Sequence, residues 1–263
     1  MHRRMHEKKP MSLIRSFAQA RPVVFVVVLF VVHTAMAFPF VILFKLAGWG
    51  VVPLRLIIPI VDSAFMIWLI WYLGWFQKAG FTGSVRNMRI YWFPLVLAFM
   101  PVLLRGTVEI PAISVAYYTA AVVFTGISEE AFARGIVLNA LRAKGKWFAL
   151  VFAAGLFSIG HFTNLFFEDF GFYEMSEKLL STFSFAVLYG AIFMRTGNIW
   201  PLIVLHTIHD YSFLTSGTAG PFTTEPISMD IRIALAALSL AYGILVAQKA
   251  EWAADDSIRT QAT

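Results

Sequence analysis

The chain has 263 residues, of which 59% are hydrophobic and only 14% are charged. A water-soluble domain of this length needs a larger charged fraction to cover its surface, and the apolar residues here also fall in long runs. The net charge of +6 would suit nucleic acid, but the basic residues stand at the ends of apolar runs and form no continuous patch. The absence of cysteine excludes disulfides and thiolate chemistry. The composition therefore predicts a membrane protein that does not bind nucleic acid.

Eight apolar runs are each close to the length of about 20 residues that a helix needs to cross the hydrocarbon core. The third run is short and contains Pro94 and Pro101, while the fourth is long and polar at its far end. No internal repeat or low-complexity linker separates them. We therefore expect an all-α, polytopic membrane protein with about eight transmembrane helices in a single domain, 22–247. The expected spans are 22–44, 55–76, 90–104, 114–141, 147–163, 179–194, 199–214 and 231–247.

The distribution of Lys and Arg predicts how these spans are oriented. With the N-terminus inside, fifteen basic residues fall on inner segments and five on outer ones, as the positive-inside rule requires. This N-in/C-in arrangement gives a basic cytoplasmic tail at 1–21, which is expected to meet anionic lipid headgroups, and a second cytoplasmic tail at 248–263. The segment 35–37 resembles a signal-peptide cleavage site, but the apolar run continues past it, which favours an uncleaved first helix. The expected location is an integral, multi-pass one, in the plasma membrane if the host is a bacterium.

Nine ionisable side chains lie within the predicted spans. Each costs about 3 kcal/mol at a helix centre on insertion scales, so a cluster of them calls for a function. Seven of the nine belong to the fourth, fifth and seventh spans, and at a rise of 1.5 Å per residue they can share one layer of the membrane. We therefore expect these three helices to face a common cavity. The nine residues are His33, Asp62, Glu129, Glu130, Arg134, His161, His206, His209 and Asp210.

Helical phase separates the roles of the two adjacent glutamates. Glu130 and Arg134 are four residues apart and are predicted to form an ion pair on one helix face. Glu129 points about 100° away from Glu130 and has no local partner, which makes it the candidate general base. On the seventh helix His206 is likewise four residues before Asp210, close enough for the carboxylate to orient the imidazole.

Three short motifs carry a resemblance to a known family. They are EExxxR at 129–134, FxxxH at 157–161 and HxxxD at 206–210, the last preceded by the sequence TGNIWP at 196–201. In this order, on helices of a multi-span protein, they resemble the CAAX-protease and bacteriocin-processing (CPBP, or Abi) family of intramembrane proteases, related to the Ras-converting CAAX endopeptidase. The resemblance covers a core at about 114–214 and does not extend to the first three spans.

The resemblance implies cleavage of a peptide bond in a membrane-associated or prenylated (CAAX-type) peptide or protein. It assigns Glu129 as the base that activates water, with His161 helping to hold and polarise that water. Glu130 and Arg134 would be supporting partners. His206 and Asp210 would stabilise the oxyanion, although several relatives carry Asn at the last position. Because an ionised Asp cannot donate a hydrogen bond, we expect Asp210 to orient His206 instead.

The sequence leaves the question of a metal open. Glu129, His161 and His206 could supply three ligands to a divalent ion such as zinc, with water in the fourth position. No HExxH motif is present, however, and the three residues come from separate helices. Activation of water by Glu and His alone accounts for the same residues, so we favour chemistry that requires no cofactor.

Several polar residues have a plainer interpretation. For His33 and Asp62 we expect a structural contact between helices, such as a hydrogen bond, since buried polar side chains commonly join transmembrane helices. His209 suits a supporting role beside His206 and mere packing equally well. An acidic stretch near the outer surface is expected to be simply solvated. It contains Glu168, Asp169, Glu174 and Glu177.

Two other functions compete with proteolysis. A non-catalytic scaffold or a bacteriocin-immunity-like protein of the same family would retain the cluster for binding or stability. A proton-coupled transporter would use intramembrane carboxylates and histidines as a relay, but transporters usually show inverted repeats and helices broken at the midplane, and the sequence shows neither. The expected partners are membrane lipid and a membrane-associated peptide or protein substrate. The sequence sets no oligomeric state.

Overall fold

The computed structural model describes residues 13–50, 52–84, 87–166, 171–217 and 227–252. It is 83% helical, and the described residues contain no strand, which confirms the all-α prediction. Most of the predicted N-terminal and C-terminal tails lies outside the described residues. Of the first tail, 13–20 forms a short helix, α1 (Leu13–Ala20).

Each predicted span coincides with a helical segment. Six of these segments are long and apolar enough to cross a membrane, so the chain is an integral membrane protein. The other two contain α6 and α10, which carry most of the ionisable cluster, and they are not among the six. The count of eight spans and their orientation stay predictions. The helices are α2 (Pro22–Ala35), α3 (Ala37–Leu46), α4 (Leu54–Leu73), α5 (Trp92–Arg105), α6 (Ala112–Glu130), α7 (Asn139–Leu141), α8 (Lys146–Gly160), α9 (Phe172–Thr196), α10 (Trp200–Thr215) and α11 (Met229–Gln248).

Two of the predicted spans are interrupted within the helix. The first is divided into α2 and α3 at Met36. Pro39 explains this break, because its ring clashes with the carbonyl of Ala35, four residues earlier, and it lacks an N–H to bond it. In the fourth, α6 gives way to a π-helix over Ala131–Leu138, directly after the two glutamates.

Helix α9 lies at the centre of the molecule. Of its most apolar 18-residue stretch 61% is buried, against at most 33% in the other five candidate spans. Its main packing partners are α8 and α11. It also begins earlier than the predicted sixth span, because the Glu174 carboxylate accepts a hydrogen bond of 2.8 Å from the N–H of Gly171.

The longer α9 corrects the prediction for the acidic stretch. Glu177 was expected to be solvated, but its side chain is only 4% exposed and pairs with Arg232 of α11 at 2.7 Å. The prediction was wrong because the partner lies on a helix far along the chain. Glu168 and Asp169 lie outside the described residues.

The contact between α9 and α11 depends on Gly243. A Cβ at this position would lie 2.9 Å from the backbone N and Cα of Leu188, too close for any real contact. We expect Gly243→Ala to push the two helices apart and to lower the free energy of unfolding by about 1–3 kcal/mol, the usual cost of overpacking. Thermal unfolding in detergent would measure the loss.

Gly155 of α8 is a matched control, since a Cβ there would meet nothing within 4 Å. Gly155→Ala should be neutral or stabilise the helix by up to about 1 kcal/mol. Equal melting temperatures for the two variants would contradict the close approach at Gly243.

Candidate active site

The helix that carries Glu129 and Glu130 changes its geometry directly after them. All eight residues of the π-helix Ala131–Leu138 are buried, and the segment packs against α4, α8 and α9. A π-helix closes i→i+5 hydrogen bonds and is found mostly at functional sites. The junction between α6 and the π-helix is therefore where the candidate residues converge.

The predicted ion pair between Glu130 and Arg134 forms the base of the site. Arg134 Nη1 lies 3.0 Å from Glu130 Oε1, and the two side chains are 1% and 0% exposed. The guanidinium also stands over the rings of Phe157, at 5.1 Å, and Tyr189, at 5.4 Å. These aromatic faces attract the cation in a region that offers it little water. The pair thus joins α6 to the π-helix, and aromatic rings of α8 and α9 pack against its cation.

His206 stands between three carboxylates. Its Nδ1 lies 2.8 Å from Glu130 Oε1, while its Nε2 lies 3.6 Å from Glu129 Oε2 and 3.6 Å from Asp210 Oδ2. Only an imidazolium presents an N–H at both nitrogens, so the arrangement suits the charged form of the ring. Glu130 is therefore shared between Arg134 and His206, and it fixes the orientation of the imidazole.

The cluster has a buried inner part and an exposed outer part, which we call the mouth of the site. The side chain of His206 is 6% exposed, whereas those of Glu129 and Asp210 are 28% and 30% exposed. A reacting molecule can therefore reach the two outer carboxylates and the Nε2 edge of the ring. Among the described residues none forms a hydrogen bond with Glu129, and its nearest ionic contact is the 3.6 Å distance to His206.

Asp210 lies between two histidines of α10. Besides its ion-pair distance to His206, its Oδ1 lies 3.4 Å from Nδ1 of His209. The His209 ring packs on Phe185 of α9 at 5.5 Å. His209 therefore supports Asp210 from outside and does not face Glu129 in any described contact.

His161 occupies the end of α8. The α-helix stops at Gly160, before the predicted end of the span at 163, and His161 begins a 3-10 turn. Its Nδ1 donates a hydrogen bond of 2.9 Å to the carbonyl of Phe157, which leaves Nε2 as an acceptor. The ring lies within electrostatic range of His206 and Asp210 but makes no direct contact with Glu129 in the described part of the chain.

Sequence reasoning missed two aromatic residues of α9. The ring of Phe185 lies 5.5 Å from that of His206, and Tyr189 lies 6.4 Å from it and is fully buried. Together they form the wall against which the imidazole packs edge-on. A signal existed, since the two aromatic residues are four residues apart and so lie on one face of the helix.

His33 and Asp62 lie beside the cluster. Nδ1 of His33 and Oδ1 of Asp62 are 3.8 Å apart, too long for the predicted hydrogen bond, so that detail was wrong. The His33 ring stacks on Phe132 at 4.8 Å, and the Asp62 carboxylate interacts electrostatically with Glu129. The pair therefore connects α2 and α4 to the site through packing and charge.

The described part of the chain shows no ready-made set of metal ligands. Across the residues that the structure describes, no three His, Asp or Glu side chains are grouped as ligands of one ion. The Nε2 of His206 lies 3.6 Å from an oxygen of Glu129 and 3.6 Å from an oxygen of Asp210, as in an ion pair.

Comparison with known proteins supports the motif assignment. The model of the family described as type II CAAX prenyl endopeptidase, Rce1-like, matches residues 111–212. This stretch contains all three motifs and α6, α8, α9 and most of α10, and the match confirms the resemblance drawn from the sequence. Comparison with the curated proteins found no match, and comparison with the solved structures found none either.

Proposed function

We propose that the protein is an intramembrane endopeptidase that uses Glu129 and His161 to activate water, because residues 111–212 match the model of the Rce1-like family of type II CAAX prenyl endopeptidases. Its substrate is a membrane-associated or prenylated, CAAX-type peptide or protein. The observation that carries the proposal is the accessible Glu129 carboxylate. It lies 3.6 Å from His206, and beneath them lies the buried ion pair of Glu130 and Arg134.

Glu129 is the general base of the proposed reaction. A water between its carboxylate and Nε2 of His161 would be polarised from both sides. As its oxygen attacks the peptide carbonyl carbon, its proton passes to Glu129. The same carboxyl group then returns the proton to the leaving amine as the C–N bond breaks, so the base is regenerated.

His206 stabilises the oxyanion that forms in this step. Its Nε2–H points to the mouth of the site, while Glu130 holds the opposite nitrogen at 2.8 Å. A fixed cationic donor in a poorly hydrated site stabilises developing negative charge strongly. Asp210 accepts rather than donates, so its proposed task is to orient His206. In this scheme Glu130 shares that task, and Arg134 balances the charge of Glu130.

The direct test is cleavage by the purified protein in liposomes. A farnesylated peptide ending in a CAAX sequence would be supplied, and mass spectrometry would identify the C-terminal fragment. We expect release of that fragment with a farnesylated peptide and much less with the unprenylated one. If no peptide bond is cut, and the cellular role survives changes at Glu129 and His161, the proposal fails and a scaffold or immunity-like role takes its place.

We further propose that hydrolysis needs no divalent metal, because the described histidines and carboxylates are arranged as ion pairs and not as a ligand set. Activity should be unchanged after treatment with 1,10-phenanthroline or EDTA. Elemental analysis of the active, washed protein should find far less than one equivalent of zinc. Loss of activity on chelation, with recovery on adding zinc, would instead favour a zinc ion held by Glu129, His161 and His206.

A further inference from the structure

A cleft of about 810 Å³ lies at one end of the helical bundle. Its lining comes from the ends of three candidate spans: Met88–Arg105 begins there, and Phe172–Thr196 and Met229–Gln248 end there. None of the lining residues belongs to the ionisable cluster. Because the ends of membrane spans meet the headgroup region, a molecule in this cleft would lie at the boundary between lipid and water.

Three cations line the cleft, each from a different helical segment. Arg89 lies in the 3-10 turn that precedes α5, Arg195 in the last turn of α9, and Lys249 directly after α11. Among the residues that the structure describes, no carboxylate lies within 4.0 Å of any of the three, and the lining includes no Asp or Glu. Like charges that share a cleft without a counter-ion repel one another, so an anion between them would relieve the repulsion.

Most of the remaining lining is apolar. Met88 is 63% exposed and Leu245 is 57% exposed, so both offer apolar surface to a ligand. Tyr242 of α11 joins that helix to α5, because its hydroxyl donates a hydrogen bond of 3.3 Å to the carbonyl of Ile90 and its ring packs on Phe93 at 4.9 Å. A cleft that combines cations with apolar surface suits an anion that carries a hydrocarbon chain.

We propose that this cleft binds the headgroup of an anionic phospholipid. Arg89, Arg195 and Lys249 bind the phosphodiester through charge-assisted hydrogen bonds, and the acyl chains lie along Met88 and Leu245. Each cation alone would be an ordinary positive-inside residue, but their convergence from distant parts of the chain forms a basic pocket between transmembrane helices, which is the kind of site that binds lipid headgroups. In the predicted topology the cleft faces the cytoplasm, where anionic lipids attract basic segments.

The test compares binding of phosphatidylglycerol and phosphatidylcholine to the purified protein in neutral detergent, measured by native mass spectrometry. Each Lys or Arg near a headgroup contributes about fivefold, so the wild type should bind one phosphatidylglycerol with a Kd about tenfold or more below that for phosphatidylcholine. Arg89→Gln/Lys249→Gln should lose most of this preference, whereas Arg89→Lys/Lys249→Arg should retain it. Both side chains are exposed, so the melting temperature in lipid-free detergent should stay at the wild-type value. Excess inorganic phosphate should not displace the lipid, because it lacks acyl chains.

Arg21→Gln/Lys144→Gln is the matched control. It also removes one exposed Arg and one exposed Lys from the same predicted side of the membrane, but outside the cleft, and should keep the wild-type preference. Equal binding of the two lipids by the wild type would overturn the inference. Equal losses in the two Gln double variants would do so as well, because they would reflect overall charge. Displacement of the lipid by inorganic phosphate would also contradict it, since the occupant would then be a free anion.

Discussion

Glu129→Gln is expected to reduce kcat/KM for peptide cleavage by about 10³-fold, with the melting temperature nearly unchanged. General acid–base catalysis contributes about 10²–10⁴ to enzymatic rates, and Gln cannot accept the proton of water. Stability should survive because the side chain is 28% exposed and its closest ionic contact, to His206, is 3.6 Å long. Reconstituted protein and a fluorogenic prenylated peptide would give the rate, and thermal unfolding would give the stability.

Glu174→Gln serves as the control for this substitution. Glu174 accepts a hydrogen bond from the N–H of Gly171 at the exposed start of α9, away from the cluster. The same chemical change there should leave kcat/KM within about twofold of the wild type, because surface substitutions usually have small effects. Full activity in Glu129→Gln would remove the base from the proposed mechanism.

Arg134→Met should be the most destabilising single change in the site. It removes Arg134 from the fully buried Glu130 carboxylate and leaves His206 as the remaining partner, and removal of one partner of a buried ion pair costs about 3–5 kcal/mol. The guanidinium contacts with Phe157 and Tyr189 are lost as well. We expect a large fall in melting temperature together with loss of activity.

The double variant Glu130→Gln/Arg134→Met separates folding from function. With both charges gone, no unpaired ion is left in the pair, so most of the lost stability should return. Activity should stay low, because the substituted amide no longer offers His206 the carboxylate that holds its Nδ1 at 2.8 Å. A double variant as unstable as Arg134→Met would show that the pair is not the source of the effect.

Contacts within one helix were predictable from the sequence. The pair formed by Glu130 and Arg134 and the proximity of His206 to Asp210 both follow from a spacing of four residues. The all-α membrane architecture follows from the apolar runs for a similar reason, since each helix satisfies its own backbone in lipid.

Contacts between helices were harder to predict from the sequence. Helical spacing assigned Glu130 to Arg134 alone, whereas the structure shows that it also bonds His206, 76 residues away. The predicted angle of about 100° between the two glutamates is consistent with the structure. Glu130 contacts Nδ1 of His206 and Glu129 faces Nε2, so the imidazole lies between the two carboxylates. Which way α10 turns toward α6 is a matter of tertiary packing that helical phase does not specify.

The π-helix at Ala131–Leu138 was also missed. Its residues carry no pattern that differs from that of an α-helix, and its extra residue per hydrogen-bonded turn is set by the packing of α4, α8 and α9 around it. The misjudged Glu177 has a related cause. Its partner, Arg232, belongs to α11, and nothing in the sequence indicates that α11 packs against α9.

The ion pair at the base of the site has a consequence for biosynthesis. Glu130 is made well before His206, and at 5–20 residues per second the 76 intervening residues take roughly 4–15 s to synthesise. During that interval Arg134, only four residues behind, is the partner that emerges from the ribosome with the carboxylate. The salt bridge would then neutralise two of the three charges that this helix carries into the bilayer, and the imidazole would join them once the later helix arrives.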